Sequence, residues 1–291
     1  MNELSIIIPV YNNEQSLAEL NNKIYKSIKE INIKKFSVIY INDFSTDDSL
    51  KVLNSLKKKN KEITIIKLKK NSGQANATKV GIIKSHSKYY FTLAADLQDD
   101  PKLIKAFYKE IKNKKIDIVL FAKKNLQGTA FNKFFSFIHW KLMSIISGKK
   151  FPKYGCDVFG FSHNVKNEVF SKIKFIESTS IELFKSLRNK KIIYFTKMKR
   201  KYGVSSHTFK KRFQTSINQI LALKSLSEIF WYFSFFIIGL FIVSGLVIFF
   251  KFVFAEFKIF TGWRSLILLN LMSFSLILFN FALIFRYLNK L

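Results

Sequence analysis

Residues 4–43, LSIIIPVYNNEQSLAELNNKIYKSIKEINIKKFSVIYIND, set two periodicities side by side. Leu4–Val10 and Phe36–Ile41 are short β-branched and aromatic runs, the pattern of buried strands. Between them, Glu14–Ile33 places Leu17, Leu20, Ile24, Ile28 and Ile31 at helical spacing, one apolar stripe on an otherwise polar helix. The alternation continues with strands at Ile63–Lys67, Tyr89–Leu93 and Ile116–Ala122, and helices at Asp47–Lys59, Gln74–Lys84 and Pro101–Lys112. Repeated strand–helix alternation predicts an α/β fold, a doubly wound, mostly parallel sheet with helices on both faces. Ligands of such sheets sit outside the carboxyl ends of the strands, so chemistry is sought there.

Those ends are not phosphate loops of the common kinds. No GxxxxGK[ST] is present and no GxGxxG follows the first strand, which excludes a P-loop NTPase and a dinucleotide-binding Rossmann domain. The first strand ends Pro9-Val10-Tyr11-Asn12-Asn13-Glu14, the second ends Asn42-Asp43-Phe44-Ser45-Thr46-Asp47-Asp48, and the fourth ends Ala94-Ala95-Asp96-Leu97-Gln98-Asp99-Asp100-Pro101. Neighbouring carboxylates raise one another's pKa, and a divalent cation relieves the repulsion. Oxygen donors suit Mg²⁺ or Mn²⁺. Ser45, Thr46, Asp47 and Asp99 stand where they can also cap the helices that follow, whereas Asp43 and Asp96 lie upstream of any capping position. In an extended loop the two-residue period puts Asp96 and Gln98 on one side, facing a single cation.

Forty-nine basic residues against 19 acidic give a formal charge of +30. Apolar residues at 48% and aromatics at 16% exclude a disordered chain. The single cysteine, Cys156, excludes an intrachain disulfide and a multi-cysteine metal site, and the four histidines lack HExxH spacing. No nucleic-acid recognition motif accompanies the charge, so no nucleic-acid partner is expected. Anionic lipid is the nearer counterpart, because the tail is apolar. Residues 229–250 and 265–285 carry no charge, and each is long enough as a helix to cross a hydrocarbon core of about 30 Å. The expected organisation is a catalytic domain over 1–204, an amphipathic interface helix or linker over 205–228, and two transmembrane helices within 229–291. Lys210, Lys211, Arg212, Lys224, Arg286 and Lys290 outnumber Lys251, Lys258 and Arg264 of the intervening loop. That excess predicts a multi-pass protein of the inner or plasma membrane with its catalytic domain in the cytoplasm. Met1-Asn2-Glu3 running straight into an apolar strand gives no sign of a secretory leader.

Taken in order, SIIIPVYNNEQSL, INDFSTDDSL, NSGQANATKVGI and AADLQDDP resemble family 2 glycosyltransferases of the GT-A fold. They are most similar to the polyprenyl-phosphate sugar transferases, a group that includes dolichyl-phosphate mannose synthase and bacterial undecaprenyl-phosphate sugar transferases. The resemblance runs from residue 5 to about 101 and resumes at Gly155-Cys156-Asp157, at Arg200-Lys201-Tyr202-Gly203-Val204-Ser205 and in the two-span tail. It implies a nucleotide-sugar donor and a polyprenyl phosphate acceptor. By the same resemblance Pro9, Tyr11, Glu14, Asp43, Ala95 and Asp96 bind the donor, and Asp96 and Gln98 hold the metal. Asp157 lies near the sugar and acceptor phosphate, Arg200 contacts phosphate, and Lys210 or Lys211 covers the place of a phosphate-binding lysine where Ser206 stands. Two-span relatives also suggest a homo-oligomer. The sequence departs from the family pattern at Ala94, where the first carboxylate of the DxD-type segment is missing, and at Asn13, Cys156, Ser206 and Ala282.

The chemistry is also argued from charge. A departing diphosphate develops negative charge, which a cation on Asp96 and Gln98, aided by Arg200, would stabilise. A lipid phosphate, with a second pKa of about 6, needs no general base; a sugar hydroxyl does, with Asp99 or Asp157 as candidates. The alternatives are a family 2 enzyme acting on a growing surface glycan or lipid-linked oligosaccharide, and a catalytically impaired nucleotide-sugar-binding relative. In the stretch Phe131–Ile146, the aromatic residues fit either core packing or a cradle for a prenyl chain.

Overall fold

In the computed structural model the βαβ frame begins with β1 (Asn2–Val10), α1 (Glu14–Glu30) and β2 (Phe36–Asn42), within a residue or a few of the predicted bounds. The chain continues through α2 (Ser49–Lys59), β3 (Ile63–Lys67), α3 (Gln74–Lys84), β4 (Ser87–Thr92), α4 (Leu103–Ile111) and β5 (Ile118–Lys123). Then follow α5 (Ala130–Ser147), β6 (Cys156–Ser162), α6 (His163–Val165), α7 (Thr179–Lys185), β7 (Lys190–Phe195) and α8 (Phe209–Leu221). The structure describes residues 1–113, 115–125, 129–170, 178–202 and 209–221, together with helical residues 235–236, 239–240, 242–243, 270–281 and 284.

The sheet has seven strands in the order β3-β2-β1-β4-β6-β5-β7. β1 pairs in parallel with β2 and β4, β2 with β3, and β5 with β7. The sheet is mixed because β6 runs antiparallel to both neighbours, β4 and β5. β6 and β7 fall beyond the stretch whose periodicity is plain in the sequence. β6 is buried on both faces, so Cys156–Ser162 lacks the polar alternation that marks a strand. Its Gly160 is required by packing: a Cβ there would lie 2.3 Å from the Phe107 ring of α4.

β1 shows how the core is divided. Leu4, Ile6, Ile8 and Val10 point to the face covered by α1, α2 and α4, where they join Leu17, Leu20 and Ile24 of the predicted apolar stripe. The opposite face is covered by α3, against which Ile7 packs so closely that a Cβ on Gly81 would sit 2.7 Å from it. Burial of such side chains stabilises the fold by about 1.5–3 kcal/mol each.

Two units divide the chain, one of residues 1–142 and 149–216, the other of 143–148 and 217–291. Within the second, Phe235 and Phe279 meet edge to face with ring centroids 6.3 Å apart. Leu271, Phe274, Leu276, Ile277 and Phe281 of the 270–281 helix are exposed. Among the described residues no helix is long and apolar enough to cross a membrane. Of the two spans expected at 229–250 and 265–285, the first lies largely outside the described residues and the second is described as helix over 270–281; Ser206 and Ala282 also lie outside the described residues. Of the expected linker, α8 is described as a helix, but the side chains of Lys210 and Lys211 are not.

Candidate active site

Parallel strands bring the carboxyl ends of β1, β2, β4, β5 and β7 to one rim, and the antiparallel β6 brings its beginning there. This explains how Cys156 and Asp157 join residues that end other strands. The rim has two parts that treat their acids differently.

At the ends of β1 and β2 the acids bind backbone. Asp43 is buried; its Oδ1 accepts from the Ser72 amide at 2.7 Å and its Oδ2 from the Gly73 amide at 2.9 Å. Gly73 takes φ +81°, a left-handed conformation that favours glycine, and presents its amide to the carboxylate. Asp43 thereby fixes the loop that leads into α3. Asp47 accepts from the Ser49 and Glu14 amides at 3.0 and 3.1 Å, while Glu14 accepts from the Asp48 amide at 2.8 Å. Asn12, at φ +53°, accepts from the Thr46 amide at 2.9 Å. The first two strand–helix loops thus cap each other. Pro9 is half-buried in β1, and Tyr11 is exposed at the rim.

Capping follows the sequence expectation in part. Of the candidates Ser45, Thr46 and Asp47, it is Asp47 that serves the start of α2, together with Glu14. Before α4 it is Asp100 that accepts from the Lys102 amide, at 2.9 Å. Asp99 turns inward instead, fully buried, with neither carboxylate oxygen hydrogen-bonded. Its nearest cation is Lys197, at 3.9 Å. Burial, together with the charges of Asp157 and Asp96, outweighs Lys197 and Lys123 and pushes the Asp99 carboxyl up to about 6.

At the ends of β4, β5, β6 and β7 the acids face cations. Asp96 Oδ1 accepts from the Gln98 amide at 3.1 Å, and Asp96 Oδ2 accepts from Arg200 Nη2 at 2.8 Å. Gln98 Oε1 lies 3.5 Å from the same nitrogen. One guanidinium nitrogen thus reaches both side chains, although the segment is not the extended loop expected: Leu97 between them takes φ +59° and makes a turn. Ala95 is buried, and its carbonyl accepts from the Ser16 hydroxyl at 2.7 Å. Asp157 pairs closely with Lys123 and lies 3.7 Å from Lys197. The surrounding protein alone would raise its carboxyl, although 41% of the side chain is exposed, but the charges and hydrogen bonds of Lys123 and Lys197 hold it at about 2. Burial would lower Lys197, but Asp99 and Asp157 raise it instead.

Lys123 and Lys197 have no counterpart among the residues read from the sequence. Lys123 ends β5, one position beyond the predicted strand, and Lys197 follows β7. The signal for Lys123 was its place at a strand end; for Lys197 there was none, since β7 was not read as a strand. Asp96, Asp99 and Asp157 are thus arranged with Lys123, Lys197 and Arg200, equal numbers of opposite charges. Among the described residues no three His, Cys, Asp or Glu side chains cluster tightly enough to hold a metal by themselves.

The fold is shared with solved glycosyltransferases. A mannosyltransferase of Pyrobaculum calidifontis, solved with GDP-Man and Mn²⁺, superimposes with a TM-score of 0.54 at 13% identity, covering 76% of this chain and 63% of that one. Glucosyl-3-phosphoglycerate synthase of Mycobacterium tuberculosis, solved with Mn²⁺ and UDP-glucose, gives 0.54 at 11% identity, covering 77% and 78%. The sheet is therefore GT-A-like. In sequence the chain is 30% identical over 160 residues to a dodecaprenyl-phosphate galacturonate synthase of Rhizobium johnstonii, covering 54% of this chain and 46% of the relative. It is 27% identical over 214 residues to an undecaprenyl-phosphate 4-deoxy-4-formamido-L-arabinose transferase of Proteus mirabilis, covering 72% and 64%. The chain thus spans about half to two-thirds of the length of these curated relatives. The family model for glycosyl transferase family 2 matches residues 5–164, which contain β1 to β6 and every rim acid described above, and the chain belongs to that family.

Proposed function

We propose that this chain moves a sugar from a nucleoside-diphosphate donor to a polyprenyl phosphate at a membrane surface. The observation that carries the reading is the convergence of Asp96, Gln98 and Arg200 beside Asp99, Asp157, Lys123 and Lys197 at one rim of a GT-A-like sheet. The curated relatives named above carry a polyprenyl-phosphate sugar transferase in their names.

The oxygens present fit a divalent cation. Asp96 Oδ2 and Gln98 Oε1 already reach a common positive group, and the two Asp99 oxygens are buried without a hydrogen bond. Two protein oxygens completed by substrate phosphates are a common arrangement for Mg²⁺ and its like. Asp96 and Gln98 would hold Mg²⁺ or Mn²⁺, which supplies Lewis-acid stabilisation of the departing diphosphate. The two solved relatives of the same fold were obtained with Mn²⁺ and a nucleotide-sugar. Pro9, Tyr11, Glu14, Asp43 and Ala95 are assigned to the donor side, where Asp43 fixes the 68–73 loop rather than standing loose.

In the transfer, the bond from the anomeric carbon to the diphosphate breaks and a bond to an oxygen of the acceptor forms. Arg200 places its guanidinium on the diphosphate side, where charge accumulates. Lys123 and Lys197 are left to neutralise the incoming phosphate. Asp157, held at about 2, is a poor proton acceptor near neutrality. That suits a lipid phosphate, already largely dianionic at pH 7 and in no need of a base. A sugar hydroxyl is the second reading, favoured by Asp99, whose oxygens carry no hydrogen bond and are left to take a proton.

Two surfaces support the lipid. On α5 the side chains of Phe131, Phe134, Phe137, Ile138 and Leu142 are exposed, Lys141 and Lys153 lie over the Phe137 ring, and no acid occurs between Asp117 and Asp157. An apolar face ringed by lysine fits an anionic headgroup layer. The exposed apolar side chains of 270–281 fit a hydrocarbon environment. On this reading residues 229–250 and 265–285 span the membrane, the rim faces the cytoplasm, and Lys210 and Lys211 lie near the headgroups. Membranes given a panel of labelled nucleotide-sugars and undecaprenyl phosphate should form a one-sugar lipid with one donor, and EDTA should abolish it. Transfer to a glycan alone would select the second reading, and no transfer with any donor would refute both.

A further inference from the structure

Arg200 sits on a segment with no regular structure, held partly at the rim and partly outside it. Residues 196–202 leave β7 at the edge of the sheet and run to α1. The Met198 amide donates to the Gln98 carbonyl at 2.8 Å, the first tie across the rim. At the far end Glu19 of α1 accepts from Lys201 Nζ at 2.7 Å and from the Tyr202 hydroxyl at 3.0 Å, through the same oxygen. Its other oxygen pairs with Lys23, one helical turn on, at 2.9 Å. The Tyr202 ring packs against the main core, so the segment is pinned by charge and by burial together. Lys201, Lys23 and Tyr202 hold the Glu19 carboxyl at about 2, so it is ionised near neutral pH.

We propose that Glu19 is a positioning residue for transfer: by holding Lys201 and Tyr202 it keeps Arg200 over Asp96 and Gln98. Glu19 lies in none of the strand-end motifs and touches neither rim acid, so it acts only through the strap. An exposed ion pair alone contributes little to stability. Here the consequence is geometric. Arg200 lies next to the two latched residues, and a small loss of register moves its guanidinium off the diphosphate side.

The inference rests on the diphosphate reading above, and its test separates the two. Binding of UDP and GDP, each with Mn²⁺, is measured on the full chain by calorimetry, alongside amide hydrogen exchange of the 196–202 segment. Glu19→Gln, which keeps the size and loses the charge, should weaken binding of the preferred diphosphate about threefold to tenfold and speed exchange at the Met198 amide. In an Arg200→Ala background the same substitution should cost nothing further in binding, because the two act through one contact. Glu19→Lys combined with Lys201→Glu should restore part of the loss. A merely structural role would give losses that add in the double variant. Additive losses, or unchanged binding and unchanged Met198 exchange in Glu19→Gln, would overturn the latch alone. Failure of the unsubstituted chain to bind either diphosphate would overturn the latch and the donor reading together.

Discussion

The two parts of the rim hold similar acids in opposite ways. At the ends of β1 and β2, Asp43, Asp47 and Glu14 accept from backbone amides of Ser72, Gly73, Ser49 and Asp48. At the ends of β4 to β7, Asp96 and Asp157 face Arg200, Lys123 and Lys197. An amide is part of the scaffold, and a carboxylate bound to it gives up its partner only when the loop unfolds. A lysine or arginine can turn from a carboxylate to a phosphate without disturbing the sheet. The first part is therefore read as the frame of the donor site and the second as the place where charge is exchanged during transfer.

Substitution of Asp96 puts most weight on that distinction. Asp96→Ala removes an oxygen from the proposed cation site, a partner of Arg200 and the acceptor of the Gln98 amide. Turnover should fall by about 10²–10³-fold, with a stability loss of only about 1 kcal/mol from the freed amide. A protein that keeps its rate without Asp96 would place the chemistry elsewhere. Asp43→Asn should behave in the other way. It removes the charge from two buried hydrogen bonds to backbone, and stability should fall by about 2–3 kcal/mol, read from the shift in the urea midpoint in detergent. Asp47→Ala is a smaller version of the same change. It releases the Ser49 and Glu14 amides at the helix starts and should cost about 1 kcal/mol. A loss of turnover beyond that expected from lower stability would show that the frame and the chemistry are not separable.

The same division explains what the sequence disclosed. In the first hundred residues each strand and helix carries a pattern set by neighbours close in the chain, although the loops between them are held by partners some thirty residues away. The apolar stripe of α1 and the β-branched run of β1 needed no knowledge of distant partners. Asp96 and Gln98 do come together, but through a tight turn with Leu97 at φ +59° rather than the extended loop that the two-residue period assumed. Beyond residue 123 the determinants are distant. β6 is a strand because Phe107 and the strands beside it bury both of its faces, and Lys197 matters because three elements place Asp99 and Asp157 around it. Asp99 showed the limit of local reading from the other side. Its position before Pro101 looked like a helix cap, yet Asp100 takes that role, and burial against the rim decides where Asp99 points.

The smallest expected effect concerns Asp157, and it tests whether lysine really governs the second part of the rim. Its carboxyl titrates at about 2 in the folded chain, against about 3.9 for an unperturbed aspartate. A lowered folded pKa means that the contribution of this group to stability is present above about pH 4 and is lost as the pH falls towards 2. Lys123→Met removes the closer of its two cations and leaves Lys197 at 3.7 Å. The carboxyl should then titrate higher, so acid unfolding should begin at a higher pH than in the unsubstituted chain, by a fraction of a unit. Stability at neutral pH should fall slightly as well, because raising the folded pKa removes part of the contribution that is present above about pH 4. If acid unfolding of Lys123→Met coincided with that of the parent, Asp157 would owe its low value to something other than Lys123, and the claim that side-chain cations hold this part of the rim would lose its clearest case.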